Sequence, residues 1–120
     1  MDKHEDKIGI HLHCLSGISP ELIRPLLCGI EEEGIPFFIT ISEQKDICEA
    51  GLDAARASRL GVGLGISTDR VTLHHEKVGL QPVFSEQFFR GAGSEALRRI
   101  GANGARLIKG IPFLFPGESV

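Results

Sequence analysis

The sequence predicts an α/β layer sandwich, and three observations carry that prediction. Short strand-like apolar runs alternate along the chain with stretches of helical periodicity. The segment Gly61–Thr68 alternates strictly, with Val62, Leu64 and Ile66 on one face and Gly61, Gly63 and Gly65 on the other. An amphipathic helix ends on three successive glutamates, Glu31, Glu32 and Glu33, immediately before Gly34 and Pro36. A chain of 120 residues suffices for one domain, with its core expected over 7–113 and short loose tails outside it.

Taken in order, Ile8, Ile10 and Leu12 alternate with Gly9, His11 and His13, which predicts a first strand over Lys7–His13. Ser19 suits the N-cap of the first helix, with Pro20 at its first position. Ile23, Leu26, Leu27 and Ile30 have the spacing of its buried face. An interior proline costs about 3 kcal/mol, so at Pro25 the helix either kinks or begins its regular part. Gly34 suits the position after the helix, and Pro36 forbids continuation. Phe37–Ile41 is a nearly continuous β-favouring run, which predicts a central strand covered on both faces. A weakly amphipathic, alanine-rich helix follows over Ile47–Ser58.

The bare glycine face of Gly61–Gly65 allows a close approach to the strand, by a packed helix in preference to a ligand. Thr68-Asp69-Arg70 reads as a tight turn into an antiparallel partner, Val71–His75. Gly79–Gly93, with Pro82, Phe84, Phe88 and Phe89, is the least regular stretch. Ser94 caps a last helix containing Leu97 and Ile100. Gly101 and Gly104 would each cost about 1 kcal/mol inside it, so it is expected to end near Ile100. Ala102-Asn103-Gly104 then turns into a fifth strand, Leu107–Phe113, and the tail beyond Pro116 is loose.

Net charge is −3, which does not favour binding to phosphate backbones. Residues 1–60 hold six cationic and eleven anionic groups, whereas 61–120 hold seven and five, so the two halves carry opposite charge. No apolar run approaches the roughly 18 residues of a membrane span. Met1–Lys7 is charged, with no apolar segment of the secretory type behind it. Three scattered cysteines, Cys14, Cys28 and Cys48, form no disulfide framework, so a reducing cytoplasm is expected.

Few residues point to chemistry. His11 and His13 share a strand face, while His74 and His75 point to opposite faces; with a cysteine nearby they could make a small metal-binding protein. Their spacing matches no zinc signature, and exposed strand histidines are expected instead. No cysteine is singled out as a nucleophile. The Gly-x-Gly-x-Gly-x-Ser of 61–67 is not the Rossmann form, which needs Gly-x-Gly-x-x-Gly between strand and helix. Arg98, Arg99, Arg106 and Lys109 read as a basic, solvated helix end that suits the dipole. The glutamates do not suit it. Carboxylates in a last turn are disfavoured by about 0.3 kcal/mol or more each, unless a metal ion or a basic surface answers them.

Two blocks, Gly29-Ile-Glu-Glu-Glu-Gly-Ile-Pro36 and Arg98-Arg-Ile-Gly-Ala-Asn-Gly-Ala-Arg-Leu-Ile-Lys-Gly110, resemble the small subunit of diol/glycerol dehydratase reactivating factors. Leu60-Gly-Val-Gly-Leu-Gly-Ile-Ser67 fits in order and spacing, so the resemblance spans nearly the whole chain. The turn His13–Pro20 departs from the family's more polar loop. The medium subunit of adenosylcobalamin-dependent diol dehydratase is similar too, and is the main rival. The resemblance implies a three-layer α/β/α sandwich with a mostly parallel, mixed sheet of about five strands, one of them antiparallel. It also implies a non-catalytic, chaperone-like subunit that binds no cofactor by itself. Its partners would be a large ATPase subunit and the dehydratase large subunit, and the complex would release damaged cobalamin by subunit exchange. Glu32 would contribute to a divalent metal, magnesium or calcium, at the interface with the large subunit. Glu31, Glu32 and Glu33 would form the partner-binding stretch. Neither membrane nor nucleic acid is an expected partner, and cytoplasmic location is expected, with or without a microcompartment.

Overall fold

The computed structural model describes residues 8–19, 21–87 and 94–115. Five strands and three helices follow in the order β1 (Ile10–Cys14), α1 (Arg24–Glu32), β2 (Phe37–Ile41), α2 (Ile47–Ala57), β3 (Val62–Ile66), β4 (Arg70–His75), β5 (Phe84–Gln87) and α3 (Ser94–Lys109). The sheet order is β2-β1-β3-β4-β5. β1, β2 and β3 run parallel, and β4 is antiparallel to both of its neighbours. One strand is therefore reversed, as expected, although β5 was not foreseen.

The two faces of the sheet are covered differently. Ile10, Leu12, Val62, Leu64, Ile66, Val71 and Leu73 are buried with Leu26 and Ile30 of α1 and Leu97 and Ile100 of α3. The other face is met by α2, where the glycines of β3 admit its backbone. A Cβ at Gly63 would collide with Ala54 and Ala55, and one at Gly65 with the Ile47 carbonyl. The visitor to the bare face is thus a helix, as predicted. Asp46 caps α2 by accepting a hydrogen bond from Glu49 N–H at 3.0 Å.

Several elements differ from the sequence reading. β1 begins at Ile10 and includes Cys14; Lys7 lies outside the described residues. The regular part of α1 begins at Arg24, with Pro25 in its first turn, where no N–H donor is needed. Ser19 accepts from Glu21 N–H at 3.2 Å in the preceding turn, and Pro20 lies outside the described residues. β2 is an edge strand and not a central one, and Ile41 is 73% exposed. Part of the irregular stretch pairs as β5, with Leu73 opposite Phe84; Phe88 and Phe89 fall outside the described residues. Ser94 is the first helical residue of α3, which does not end near Ile100 but runs to Lys109. Leu107–Phe113 is accordingly not a strand. The segment after α3 returns to the helix, where buried Asn103 clamps Leu114: its amide donates to Leu114 C=O at 2.9 Å, and its oxygen accepts from Leu114 N–H at 2.6 Å. The loose tail expected beyond Pro116 lies outside the described residues.

Candidate functional site

One glycine from each helix, Gly29 of α1 and Gly101 of α3, lets the two cross closely. A Cβ at Gly29 would collide with the Arg98 carbonyl, and one at Gly101 with the Leu26 carbonyl. The backbones touch at this crossing, and the basic residues of α3 arrive at the acidic end of α1. Arg98 Nε donates to Glu32 Oε1 at 3.0 Å, and its terminal nitrogen reaches Oε2. Arg106 Nε donates to Glu33 Oε2 at 3.1 Å, and Lys109 Nζ donates to Glu33 Oε1 at 2.9 Å. Lys109 also donates to the Glu33 carbonyl at 2.9 Å, placing a cation against the negative end of the α1 dipole. Gly34, at φ +79°, then turns the chain toward β2.

The three glutamates therefore differ. Glu31 is exposed. Glu32 is surface-accessible, its side chain 41% exposed and paired with a still more open Arg98. The side chain of Glu33 is only 10% exposed. Burial alone would raise the Glu33 pKa, but hydrogen bonds and charge from Lys109 and Arg106 outweigh it and hold the carboxyl below its ordinary range. Of the basic residues read as a solvated helix end, Arg98, Arg106 and Lys109 answer the acidic end of α1, whereas Arg99 pairs with Glu86 of β5. Beside it, a groove of about 700 Å³ between α1 and α3 is lined by Arg24, Pro25, Cys28, Glu32, Arg98 and Leu114.

The other candidates separate. The expectation of exposed strand histidines does not hold for His11 or His74, which are buried. His11 lies against Phe38, their ring centroids 5.4 Å apart. His74 packs onto Gly51, with Nε2 2.9 Å from the Thr72 hydroxyl, and burial lowers its pKa. His13 opens onto a smaller cavity of about 310 Å³ shared with Ser42 and Asp53. Burial lowers the His13 pKa, and the Asp53 charge opposes that. Cys14 points to the opposite, helix-covered face, where burial pushes its thiol up to about 11. Among the described residues, no three His, Cys, Asp or Glu side chains gather as a metal site. Nor is any described helix long and apolar enough to cross a membrane. The sequence reading missed the Asn103 clamp, because Asn103 was assigned to a turn.

The family model for the dehydratase medium subunit matches residues 8–114. The propanediol dehydratase-reactivating factor small subunit of Citrobacter freundii is 42% identical over 89 residues, covering 73% of this chain and 75% of that protein. The diol dehydratase-reactivating factor small subunit of Klebsiella michiganensis is 38% identical over 93 residues, covering 77% and 73%. A chain in the structure of diol dehydratase-reactivating factor complexed with ADP and Mg2+ superposes with a TM-score of 0.81 at 34% identity, over 90% of this chain and 98% of that one. A chain of glycerol dehydratase reactivase gives a TM-score of 0.82 at 28% identity, over 90% and 97%.

Proposed function

This chain belongs to the dehydratase medium-subunit family, and on that premise we propose that it works as the small, non-catalytic subunit of a cytoplasmic reactivase. With a large ATPase subunit, it takes part in releasing damaged cobalamin from inactivated diol or glycerol dehydratase, by exchanging subunits with the enzyme and its large subunit. The observation that carries this reading is the coextensive match to reactivase chains, over 90% of this chain and 98% of one of them. Relatives that are reactivating-factor small subunits favour it over a medium subunit of the dehydratase itself.

The docking surface in this proposal is the Glu31–Glu33 end of α1. Glu31 and Glu32 present carboxylates outward, and Glu33 holds the helix end in place through Arg106 and Lys109. Both Glu32 oxygens are held by Arg98, but the pair is open to solvent, and with Arg98 swung aside they are hard donors that suit magnesium or calcium. One carboxylate is a weak site, so the large subunit supplies the remaining ligands. When bound, the cation supplies an electrostatic bridge between the subunits. A relative solved with ADP and Mg2+ supports a divalent cation in such complexes.

The test is capture of the large subunit by this chain, with and without a chelator. Glu32→Ala is expected to weaken metal-dependent capture by about tenfold while leaving the circular dichroism spectrum unchanged. Equal capture by wild type and variant, insensitive to chelator, would remove the metal-bridged interface. A cobalamin absorbance titration showing stoichiometric binding by the assembled complex would favour the dehydratase reading instead.

A further inference from the structure

The sheet has two edges, and they are built differently. β5 presents Phe84-Ser85-Glu86-Gln87, with Glu86 held by Arg99 at 2.8 Å. A charged residue on an edge strand discourages pairing with another chain. β2 presents Phe37-Phe38-Ile39-Thr40-Ile41, which has no charge and no proline, and Ile39 and Ile41 are exposed. Its backbone polarity is set by the pairing with β1. Ile10 N–H donates to the Pro36 carbonyl at 3.0 Å, and Ser42 N–H donates to the Cys14 carbonyl at 2.7 Å. In a parallel ladder, groups of alternate residues face the same neighbour. Pro36, Phe38, Thr40 and Ser42 therefore turn toward β1, while Phe37, Ile39 and Ile41 turn their N–H and C=O groups outward. The same three residues carry their side chains on the α1 and α3 face, in register with Ile10, Leu12 and Cys14.

We propose that this edge pairs antiparallel with the β2 edge of a second copy of the chain, about a two-fold axis at Ile39. With three outward-facing residues, an axis at the middle one puts Ile39 in a hydrogen-bonded pair with its own copy. Ile39 meets Ile39 of the second copy, and Phe37 meets Ile41, so every outward donor finds an outward acceptor. The cross-strand neighbours are aliphatic with aliphatic and aromatic with β-branched, combinations that stabilise strand pairs. No charge is buried. Pairing β2 with β5 of another copy would instead be heterologous and would bring Glu86 against the apolar edge. One strand pair with three side chains per copy buries less than the roughly 1,000 Å² of a stable interface, so the dimer is weak and concentration-dependent. Its dissociation constant is expected on the order of 10–100 μM. This inference rests on the edge alone and does not depend on the reactivase reading.

Sedimentation equilibrium of the isolated chain tests it. The weight-average mass should rise with concentration from 13.0 kDa toward twice that value. Ile39→Lys, at an exposed position, should stay monomeric throughout with an unchanged circular dichroism spectrum. Ile39→Cys, with Cys28 and Cys48 replaced by serine, should give a disulfide-linked dimer under mild oxidation. Directly opposed hydrogen-bonded residues lie about 5.5 Å apart at Cα, within disulfide reach. Thr40→Cys in the same background should cross-link poorly, because Phe38 of the second copy stands opposite it. A wild-type chain that is monomeric at every concentration overturns the proposal, as does a dimer that survives Ile39→Lys. If the chain is monomeric alone but Ile39→Lys blocks capture of the large subunit, the edge accepts a strand from that subunit and self-pairing is wrong.

Discussion

At the scale of the residue, three identical side chains have three different environments. A helix rotates by about 100° per residue, so Glu31, Glu32 and Glu33 face in different directions. Only Glu33 turns inward, onto Arg106 and Lys109. Its folded-state pKa is depressed, so the carboxylate stabilises the fold above its ordinary value near 4.5 and that contribution is lost as pH falls through the lower folded value. Glu33→Gln is expected to cost about 1 kcal/mol at neutral pH and to flatten the acid limb of stability. Urea unfolding between pH 3 and 7 checks this, and parallel pH profiles for the two proteins would contradict it. The sequence announced that this acidic end needed a positive neighbour. It could not say which, because Arg98 and Lys109 lie 66 and 76 residues further along the chain.

At the scale of the element, local propensity misread α3. Two interior glycines, costing about 1 kcal/mol each, argued for a helix ending near Ile100. Close packing against α1 outweighs that cost, and the two glycines serve differently. A Cβ at Gly101 would meet the backbone of Leu26, whereas one at Gly104 would stand 3.3 Å from the end of the flexible Ile10 side chain. Gly101→Ala is therefore expected to destabilise by about 2–3 kcal/mol through overpacking. Gly104→Ala should change stability by less than about 0.5 kcal/mol, because improved helix propensity offsets a small adjustment of Ile10. Chemical denaturation of both variants decides the matter; equal losses would mean that the helices do not touch backbone to backbone at Gly101. β2 was misjudged for a related reason. A continuous apolar run signals burial on both faces, yet here it marks an edge strand left partly bare.

At the scale of the whole molecule, the two faces of the sheet divide the labour. α1 and α3 bring the acidic end of one helix onto the basic residues of the other, while α2 packs its backbone against the glycine face of β3. The cysteines report on this arrangement. Cys14 is buried in β1 with its thiol pushed up to about 11, whereas Cys28 lines the groove between α1 and α3. Native-state labelling with a thiol reagent is expected to modify Cys28 readily and Cys14 only at the rate of global unfolding. Rapid native labelling of Cys14 would mean that the central strands open locally. The sequence by itself determined the alternation of strands and helices, the glycine face awaiting a helix and the charge mismatch at the end of α1. Each of these is written in neighbouring residues, through periodicity and the helix dipole. Only the tertiary structure decided which strand lies at the edge, how far α3 runs, that Asn103 clamps the segment after it, and which cations answer which glutamate. Those outcomes depend on contacts between segments distant in the chain, where close packing of backbones outweighs what any short stretch prefers alone.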